Sequence, residues 1–376
     1  MFCQLRLCGR PTRVSRKAKT AFQRRIAMRV ISAILSYLVC LGWMMAAHAG
    51  DRMMPPQCFS AQELAAVAGE KSVRRGDRSF DGVQLSREIV PIKPIAADRR
   101  GAIRRVDMPN GEKLIALTLD LCEQTGEVAG YDGAIFDYLR REGVKATIFV
   151  GGKWMRSHQM RATQLVLDPL FELANHSDTH RNLRLLDTKA LRSQILGPQH
   201  TFAALRFAAA ARQCVMSHDD QEARDAPGQM TLFRFPFGAC NQPALDAVND
   251  AGLLAIQWDV STGDPAPTQS ASAIARAMIS RVRPGSIIIA HANGRGWNTA
   301  AALPIAIPKL KAMGYRFVTV SELLRIGTPV ISKTCYDFKP GDADRYDFMF
   351  SAKKTFNQPV TARSKAVRRV KPVKRT

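Results

Sequence analysis

The fold of this 376-residue chain is decided by a stretch that begins Leu114-Ile115-Ala116-Leu117-Thr118-Leu119 and continues Asp120-Leu121-Cys122-Glu123. The first six residues are apolar apart from one threonine, whereas the next four bring two acids and a thiol. A continuously apolar run is typical of a strand that is covered on both faces of its sheet. The stretch therefore predicts a buried parallel strand that ends in ionisable side chains.

Six further strand-like runs follow, at residues 146–150, 170–174, 232–235, 253–258, 286–290 and 316–320. Helix-like stretches separate them, and several of these end at a glycine, as helices often do. Seven strand-then-helix units in about 220 residues predict a parallel α/β fold. We expect a distorted seven-stranded (β/α) barrel, with an open doubly wound sheet as the alternative. In either fold a functional site lies at the carboxyl ends of the strands.

The predicted strand ends carry a set of polar and aromatic side chains. In chain order these are Asp120, Glu123, His176, His180, Arg234, Phe237, Trp258, Asp264 and His291. Imidazole is a common ligand for divalent metals, and a spacing of four residues brings two rings to one side of a segment that turns helically. Acids, histidines and an arginine on one rim predict a hydrolytic metal site with ligands, a base, an acid and an orienting cation.

These motifs and their order resemble the NodB-homology polysaccharide deacetylase family over about residues 114–325. The family's His-(Ser/Thr)-x-x-His and Arg-x-Pro-(Tyr/Phe) motifs are matched at residues 176–180 and 234–237. Its Thr-Phe-Asp-Asp-Gly motif is matched in part at 118–122, its aspartate-containing turn from Trp258 to Asp264, and its Leu-x-His motif at 289–291. The resemblance implies a barrel of the polysaccharide deacetylase type.

The resemblance also implies a reaction and the residues that perform it. The reaction is metal-dependent removal of N-acetyl groups from an amino-sugar polymer or oligomer, such as a chitooligosaccharide, peptidoglycan or an exopolysaccharide. It hydrolyses a carbon–nitrogen amide bond that is not a peptide bond. In the implied roles Asp120 is the general base and His291 the general acid. Arg234 orients Asp120, and Asp264 keeps His291 charged.

The implied cofactor is a divalent metal, and zinc is the first expectation because imidazole and carboxylate ligands suit it. His176 and His180 are its implied ligands. Phe237 and Trp258 are expected at the wall of the substrate groove, where aromatic faces suit the stacking of sugar rings.

Leu121 departs from the family at the position of the third metal ligand, since leucine cannot bind a metal. Three alternatives are open. Glu123 reaches the metal, or Asp120 binds it directly and leaves the role of base to another group. Otherwise the metal is weak or absent, and the domain is a catalytically silent carbohydrate-binding domain. We expect an active enzyme with a rearranged set of ligands.

The ends of the chain carry most of its formal net charge of +23. Residues 1–50 and 352–376 each hold nine Lys or Arg and no acid, which leaves about +5 for the rest. Three arginines precede the apolar run 30–45, and Ala47-His48-Ala49 follows it, a pattern typical of an export signal. An uncleaved membrane anchor is the alternative. A nucleic-acid partner is not expected. It would suit the positive charge of the chain, but it does not fit a protein that carries an export signal.

These observations divide the chain into an export signal (1–49), an N-terminal extension (50–110), a deacetylase-like catalytic domain (111–330) and a basic, disordered tail (331–376). We expect the protein in the periplasm, in the cell envelope or secreted, or anchored in the membrane if the signal is not cleaved. The tail is a candidate for electrostatic contact with an anionic envelope.

Five cysteines follow the predicted signal, namely Cys58, Cys122, Cys214, Cys240 and Cys335. An odd number allows at most two disulfides and leaves one thiol over. We expect a disulfide between Cys122 and Cys240, which both follow site motifs, and a second between Cys58 and Cys335.

Overall fold

The computed structural model of the chain describes residues 58–212 and 228–349. The strands in these ranges are β1 (Arg74–Arg75), β2 (Ala102–Asp107), β3 (Leu114–Leu121), β4 (Glu127–Val128), β5 (Ala146–Val150), β6 (Phe171–Asn175), β7 (Leu232–Phe233), β8 (Leu254–Ile256), β9 (Val260–Ser261), β10 (Ile287–His291), β11 (Arg316–Phe317) and β12 (Thr328–Ser332). All seven strands predicted from the sequence are present, as β3, β5, β6, β7, β8, β10 and β11.

Nine α-helices lie between and around these strands within the same ranges. They are α1 (Ala61–Leu64), α2 (Gly133–Glu142), α3 (Gly152–Ser157), α4 (Gln159–Val166), α5 (Thr188–Ala210), α6 (Gln242–Asp250), α7 (Ala271–Arg281), α8 (Thr299–Ala312) and α9 (Val320–Ile326). Among the described residues, no helix is both long and apolar enough to cross a bilayer.

The main sheet has the strand order β12-β2-β8-β7-β6-β5-β3-β10-β9, with β11 beside the start of β3. All its neighbours are parallel except β12 and β2. The sheet curls, so that β2 returns to the strand β10 near its far edge. The amide of Val106 donates to the carbonyl of Gly285 over 3.0 Å. The fold is therefore the expected α/β type with a curled, half-barrel sheet, and the open doubly wound alternative is wrong.

Strand β3 shows how the sheet separates the site from the core. Leu114 and Ala116 pack inside the curl of the sheet, while Ile115, Leu117, Leu119 and Leu121 pack among the helices outside it. Successive side chains of a strand point to opposite faces. Asp120 therefore falls on the inner face, and Leu121 is an outward core residue with no exposed surface.

The sheet extends beyond the catalytic core that the sequence predicted. Strand β2 lies within the span assigned to the N-terminal extension, and its Ala102, Ile103 and Val106 are fully buried. Arg104 and Arg105 interrupt its apolar pattern, and this concealed the strand. Arg104 donates to the backbone carbonyls of Tyr336 and Asp337, so its charge is held by the C-terminal part of the domain.

Residues 331–349 were expected in a disordered tail, but they are ordered against the domain. We call residues 333–349 the C-terminal segment. Arg184 forms ion pairs with its Asp344 and Asp347 at 2.6 and 2.7 Å. Trp258 donates its indole N–H to Asp337 over 2.8 Å. The rest of the predicted tail, residues 350–376, and the predicted export signal lie outside the described residues.

Both expected disulfides are wrong, because Cys240 pairs with Cys335. The bond joins the turn after β7 to the C-terminal segment. Cys122 is a buried free thiol at the end of β3. Strands β6 and β5 lie between β7 and β3 in the sheet, so the cysteines after β7 and β3 do not follow neighbouring strands.

Candidate active site

Asp120 and His291 end two neighbouring strands of the sheet. Strands β3 and β10 are parallel, and their register sets His291 directly beside Asp120. Neighbouring strands lie about 4.8 Å apart, so the two side chains project side by side from one edge. The sheet itself thus positions the predicted base and the predicted acid.

Asp120 is a buried carboxylate that is surrounded by positive and polar groups. Arg234, which has no exposed surface, donates through one guanidinium nitrogen to Oδ1 of Asp120 and to the hydroxyl of Thr118, both over 2.8 Å. Nε2 of His176 lies 3.3 Å from the other carboxylate oxygen. Burial acts to raise the pKa of Asp120, but the attraction of Arg234 and of His291 outweighs it and holds that pKa below its ordinary value.

His291 has the opposite environment. Its Nδ1 lies 2.9 Å from Oδ1 of Asp264, and its backbone amide donates to Oδ2 over 2.7 Å. Thr262 and Thr299 also donate to this carboxylate. Burial acts to lower the pKa of His291, but the charge and hydrogen bond of Asp264 outweigh it and raise that pKa above its ordinary value. Two titratable groups with oppositely shifted pKa values suit an acid–base pair.

Gly296 allows Asp264 and His291 to be packed this closely. A Cβ atom at Gly296 would lie 2.2 Å from the carbonyl oxygen of His291 and 2.7 Å from Oδ2 of Asp264. Both distances are shorter than any van der Waals contact. The acid and its carboxylate partner therefore require a residue without a side chain at this position.

His176 and His180 lie on a tight turn rather than on the helical turn that their spacing suggested. The turn follows β6, and Ser177 and His180 have positive φ angles of 64° and 50°. The hydroxyl of Ser177 accepts from the amide of His180, and the amide of Ser177 donates to the side chain of Asn175. The turn brings the two imidazole rings to 4.9 Å between their centroids.

Both imidazoles are in the state that a metal requires. Burial lowers the pKa of His176 and lowers that of His180 still further, so both rings are neutral at neutral pH. Nδ1 of His176 lies 2.9 Å from the carbonyl of Arg234, the usual way in which a protein orients a ligating histidine. Nδ1 of His180 is buried and has no hydrogen-bond partner in the described part of the chain.

Cys122 lies close to the two histidines, whereas Glu123 is not part of this group. One ligand atom from each of Cys122, His176 and His180 lies within 4.8 Å of the others. We call these three residues the histidine–cysteine cluster. Buried imidazole and sulfur donors around an unpartnered nitrogen atom fit a divalent transition metal. Burial raises the pKa of the Cys122 thiol to about 12.

Glu123 was predicted as a substitute ligand, but its carboxylate turns away from the histidines. It accepts from the hydroxyl of Ser157 and from the amide of Ala129, and it lies 3.4 Å from the buried ammonium group of Lys153. Burial raises the pKa of Glu123 above its ordinary value. These contacts hold the start of the loop after β3.

A cavity of about 350 Å³ opens above these groups. Asp120, Cys122, His180 and His291 line it, together with the predicted aromatic residues Phe237 and Trp258. The C-terminal segment adds Arg345 and Tyr346, which sequence reasoning missed. The rings of Phe237 and Tyr346 lie 5.0 Å apart. No local pattern identifies Tyr346, and the only signal in the sequence was Cys335, whose bond tethers the segment that carries it.

Comparison with known proteins identifies a family that matches the central part of the chain. Residues 107–256 match the family model of polysaccharide deacetylases. The chain contains a polysaccharide deacetylase domain. Asp120, both histidines and Arg234 of this deacetylase domain lie within the matched residues, whereas Asp264 and His291 follow them.

Two relatives of the deacetylase domain are named peptidoglycan N-acetylglucosamine deacetylases. The relative from Bacillus cereus is 28% identical over 222 residues, which are 58% of this chain and 92% of the relative. The relative from Listeria monocytogenes is 30% identical over 306 residues, which are 73% of this chain and 58% of the relative. The chain thus spans less than two thirds of the Listeria protein. A solved structure of a peptidoglycan N-acetylglucosamine deacetylase, 22% identical, covers 61% of this chain and 96% of its own, with a TM-score of 0.49.

Proposed function

We propose that the domain is a metal-dependent hydrolase that removes N-acetyl groups from an amino-sugar polymer or oligomer. The observation that carries this proposal is the pairing of Asp120 and His291. They are in register on neighbouring strands, and their pKa values are shifted in opposite directions beside two neutral imidazoles. Amide hydrolysis needs this combination of a base for water and an acid for the leaving amine.

The protein's own groups account for the proton transfers. Asp120, kept ionised by Arg234, accepts a proton from the attacking water. His291, kept charged by Asp264, donates a proton to the nitrogen of the leaving amine. Because Nδ1 of His291 faces Asp264, Nε2 is the atom that donates. The water oxygen forms the new bond to the acetyl carbon, the carbon–nitrogen bond breaks, and the products are acetate and a free amino sugar.

His176 and His180 would hold the metal, for which zinc is the proposed identity. When bound, a divalent metal supplies Lewis-acid polarisation of the acetamide carbonyl and lowers the pKa of water. The neutral state of both rings and the unpartnered nitrogen of His180 support this assignment.

The cavity and the relatives support the proposed substrate class. Phe237, Trp258 and Tyr346 give the cavity aromatic walls, which suit the apolar faces of sugar rings. Since two relatives are named for peptidoglycan, we propose N-acetylglucosamine units of peptidoglycan as the first substrate. Chitooligosaccharides and exopolysaccharides carry the same acetamido group and are the alternatives.

We also propose that the protein is exported to the periplasm or cell envelope, or is secreted. The disulfide between Cys240 and Cys335 supports this proposal, because disulfides persist in oxidising compartments. Fractionation of cells that express the tagged chain tests it, and recovery in the cytosol alone would contradict it. Deletion of residues 352–376 tests whether the basic tail contributes electrostatic contact with the envelope.

Acetate release from peptidoglycan and from N-acetylglucosamine oligomers tests the proposed reaction. We expect release by the purified protein, loss of release with EDTA, and recovery when zinc is added. His291→Ala should abolish release without loss of fold by circular dichroism. A catalytically silent carbohydrate-binding domain is the second candidate, because Leu121 replaces the family's third metal ligand. That candidate predicts glycan binding with no acetate from any substrate.

A further inference from the structure

We propose that Cys122 is the third protein ligand of the metal, so that the domain holds its metal with two imidazoles and one thiolate. The geometry that carries this inference is the histidine–cysteine cluster, in which the three ligand atoms lie within 4.8 Å of one another. A tetrahedral zinc site with ligand bonds of about 2.0–2.3 Å separates its ligand atoms by about 3.5 Å. Small side-chain movements therefore bring the three atoms to a common ion.

The directions of the side chains at the end of β3 explain why the proposed ligand is Cys122 and not the residue at position 121. Side chains alternate along the strand, so Asp120 faces the site and Leu121 faces the helices, where it has no exposed surface. The strand ends at Leu121, and the next residue turns its sulfur back toward the two histidines. The ligand has thus moved one residue along the chain, and its former position has become part of the core.

The other candidate ligands, Glu123 and Asp120, are each paired with a buried cation of the protein. Oε2 of Glu123 accepts from Ser157 and Ala129, and Oε1 lies 3.4 Å from the ammonium group of Lys153. One oxygen of Asp120 accepts from Arg234, and this pairing suits a base better than a ligand. Cys122 is the free thiol among the described residues, because Cys58, Cys240 and Cys335 are all disulfide-bonded.

Asn293 positions the sulfur. Its side-chain amide, which has no exposed surface, donates to the carbonyl of Cys122 over 2.8 Å and lies 3.2 Å from the sulfur. A donor at this distance stabilises a thiolate and fixes its direction, as the outer partners of metal ligands usually do. Asn293 is therefore a positioning residue that acts through Cys122.

The inference deepens the proposed function and rests on its metal site, but its test does not depend on activity. The purified protein is loaded with zinc, and X-ray absorption measures the scatterers around the ion. We expect one sulfur at about 2.3 Å together with nitrogen or oxygen scatterers. The cobalt-loaded protein should show a thiolate-to-metal charge-transfer band in the near ultraviolet.

Variants at two neighbouring positions test which residue provides the sulfur ligand. Cys122→Ser should remove the sulfur scatterer and the charge-transfer band, and weaken zinc binding by at least about 100-fold in competition with a chelator. Glu123→Gln is the matched control and should leave all three readouts unchanged. Asn293→Ala should keep the sulfur scatterer and weaken zinc binding by about 10-fold.

Zinc bound by nitrogen and oxygen alone in the wild-type protein would overturn the inference, as would a sulfur signal that persists in Cys122→Ser. Failure to bind any metal would overturn both the inference and the metal dependence of the proposed function. Sulfur ligation without acetate release would uphold the inference while contradicting the proposed reaction. The two claims therefore fail on different measurements.

Discussion

The acid–base pair and the histidine–cysteine cluster lie against one cavity, but they are built from different kinds of backbone. Asp120 and His291 end two regular strands, and each carboxylate or ring has its partner in Arg234 or Asp264. The histidines lie on a turn with positive φ angles, and a buried nitrogen of His180 has no partner. The polar groups of the first region are paired with one another, whereas the second leaves a buried ring nitrogen without a partner among the described residues.

The difference makes the two regions separable by experiment. A variant in the acid–base pair should impair catalysis and leave metal binding intact. A variant in the cluster, or removal of the metal, should reduce both. Polar groups left unpartnered in a protein interior are costly, so filling the cluster should also stabilise the fold.

The largest expected effect is that of Asp120→Asn, which keeps the shape of the side chain and removes the base. We expect kcat to fall by about 1,000-fold or more, because general-base catalysis contributes on the order of 10²–10⁴. Zinc content, measured by elemental analysis of the same preparation, should be unchanged. A variant that loses its zinc would show that the two regions are not separable.

Removal of the metal tests the histidine–cysteine cluster through the stability of the fold rather than through catalysis. With zinc at about 1,000 times its Kd, the bound ion should add about 4 kcal/mol to the free energy of unfolding. Thermal melts of the chelated and zinc-loaded protein measure this difference. The same shift is expected for Asp120→Asn and should be absent for His176→Ala. An equal shift in His176→Ala would place the stabilising ion elsewhere.

Asp264→Asn should change the pH dependence of the reaction. The active form of His291 is protonated, and Asp264 raises its pKa, so activity in the wild type is lost as pH rises through that raised value. Without the carboxylate the pKa falls, and the alkaline limb of the kcat profile should move to lower pH. The rate at neutral pH should decrease by about 100-fold. An unmoved alkaline limb would assign it to a group other than His291.

The smallest expected effect is that of Tyr346→Ala in the C-terminal segment. Loss of one aromatic face should raise KM for an oligosaccharide by about 5–10-fold, equivalent to about 1–1.5 kcal/mol, with little change in kcat. Phe348→Ala is the matched control, since Phe348 is 75% exposed and does not line the cavity. Equal KM values for the two variants would remove the segment from the substrate groove.

The seven core strands could be predicted because their apolar runs are continuous, and the polar strand ends followed from the rule that parallel sheets carry sites at that edge. Strand β2 could not, since Arg104 and Arg105 interrupt its pattern, and the carbonyls that Arg104 contacts are more than 200 residues away. A charge that is satisfied by distant carbonyls has no signature in the local sequence.

Prediction of the site from the sequence was limited in the same way, at a single residue. Strand alternation accounts for Asp120 and Leu121, but the strand ends there. The directions of Cys122 and Glu123 depend on contacts made beyond the strand, from Asn293 to Cys122 and from Lys153 to Glu123. The sequence therefore favoured the carboxylate, the more familiar ligand, where the fold turns the thiol toward the histidines.

The bond between Cys240 and Cys335 closes a covalent ring, because these residues are 95 positions apart in the chain. Asp264 and His291 lie on that ring, and Tyr346 lies just beyond it. A single proteolytic cut anywhere between the two cysteines would open the ring without releasing a fragment. On a denaturing gel the nicked molecule would migrate as one species until a reductant was added. His291 and Tyr346 would stay covalently attached to the rest of the domain.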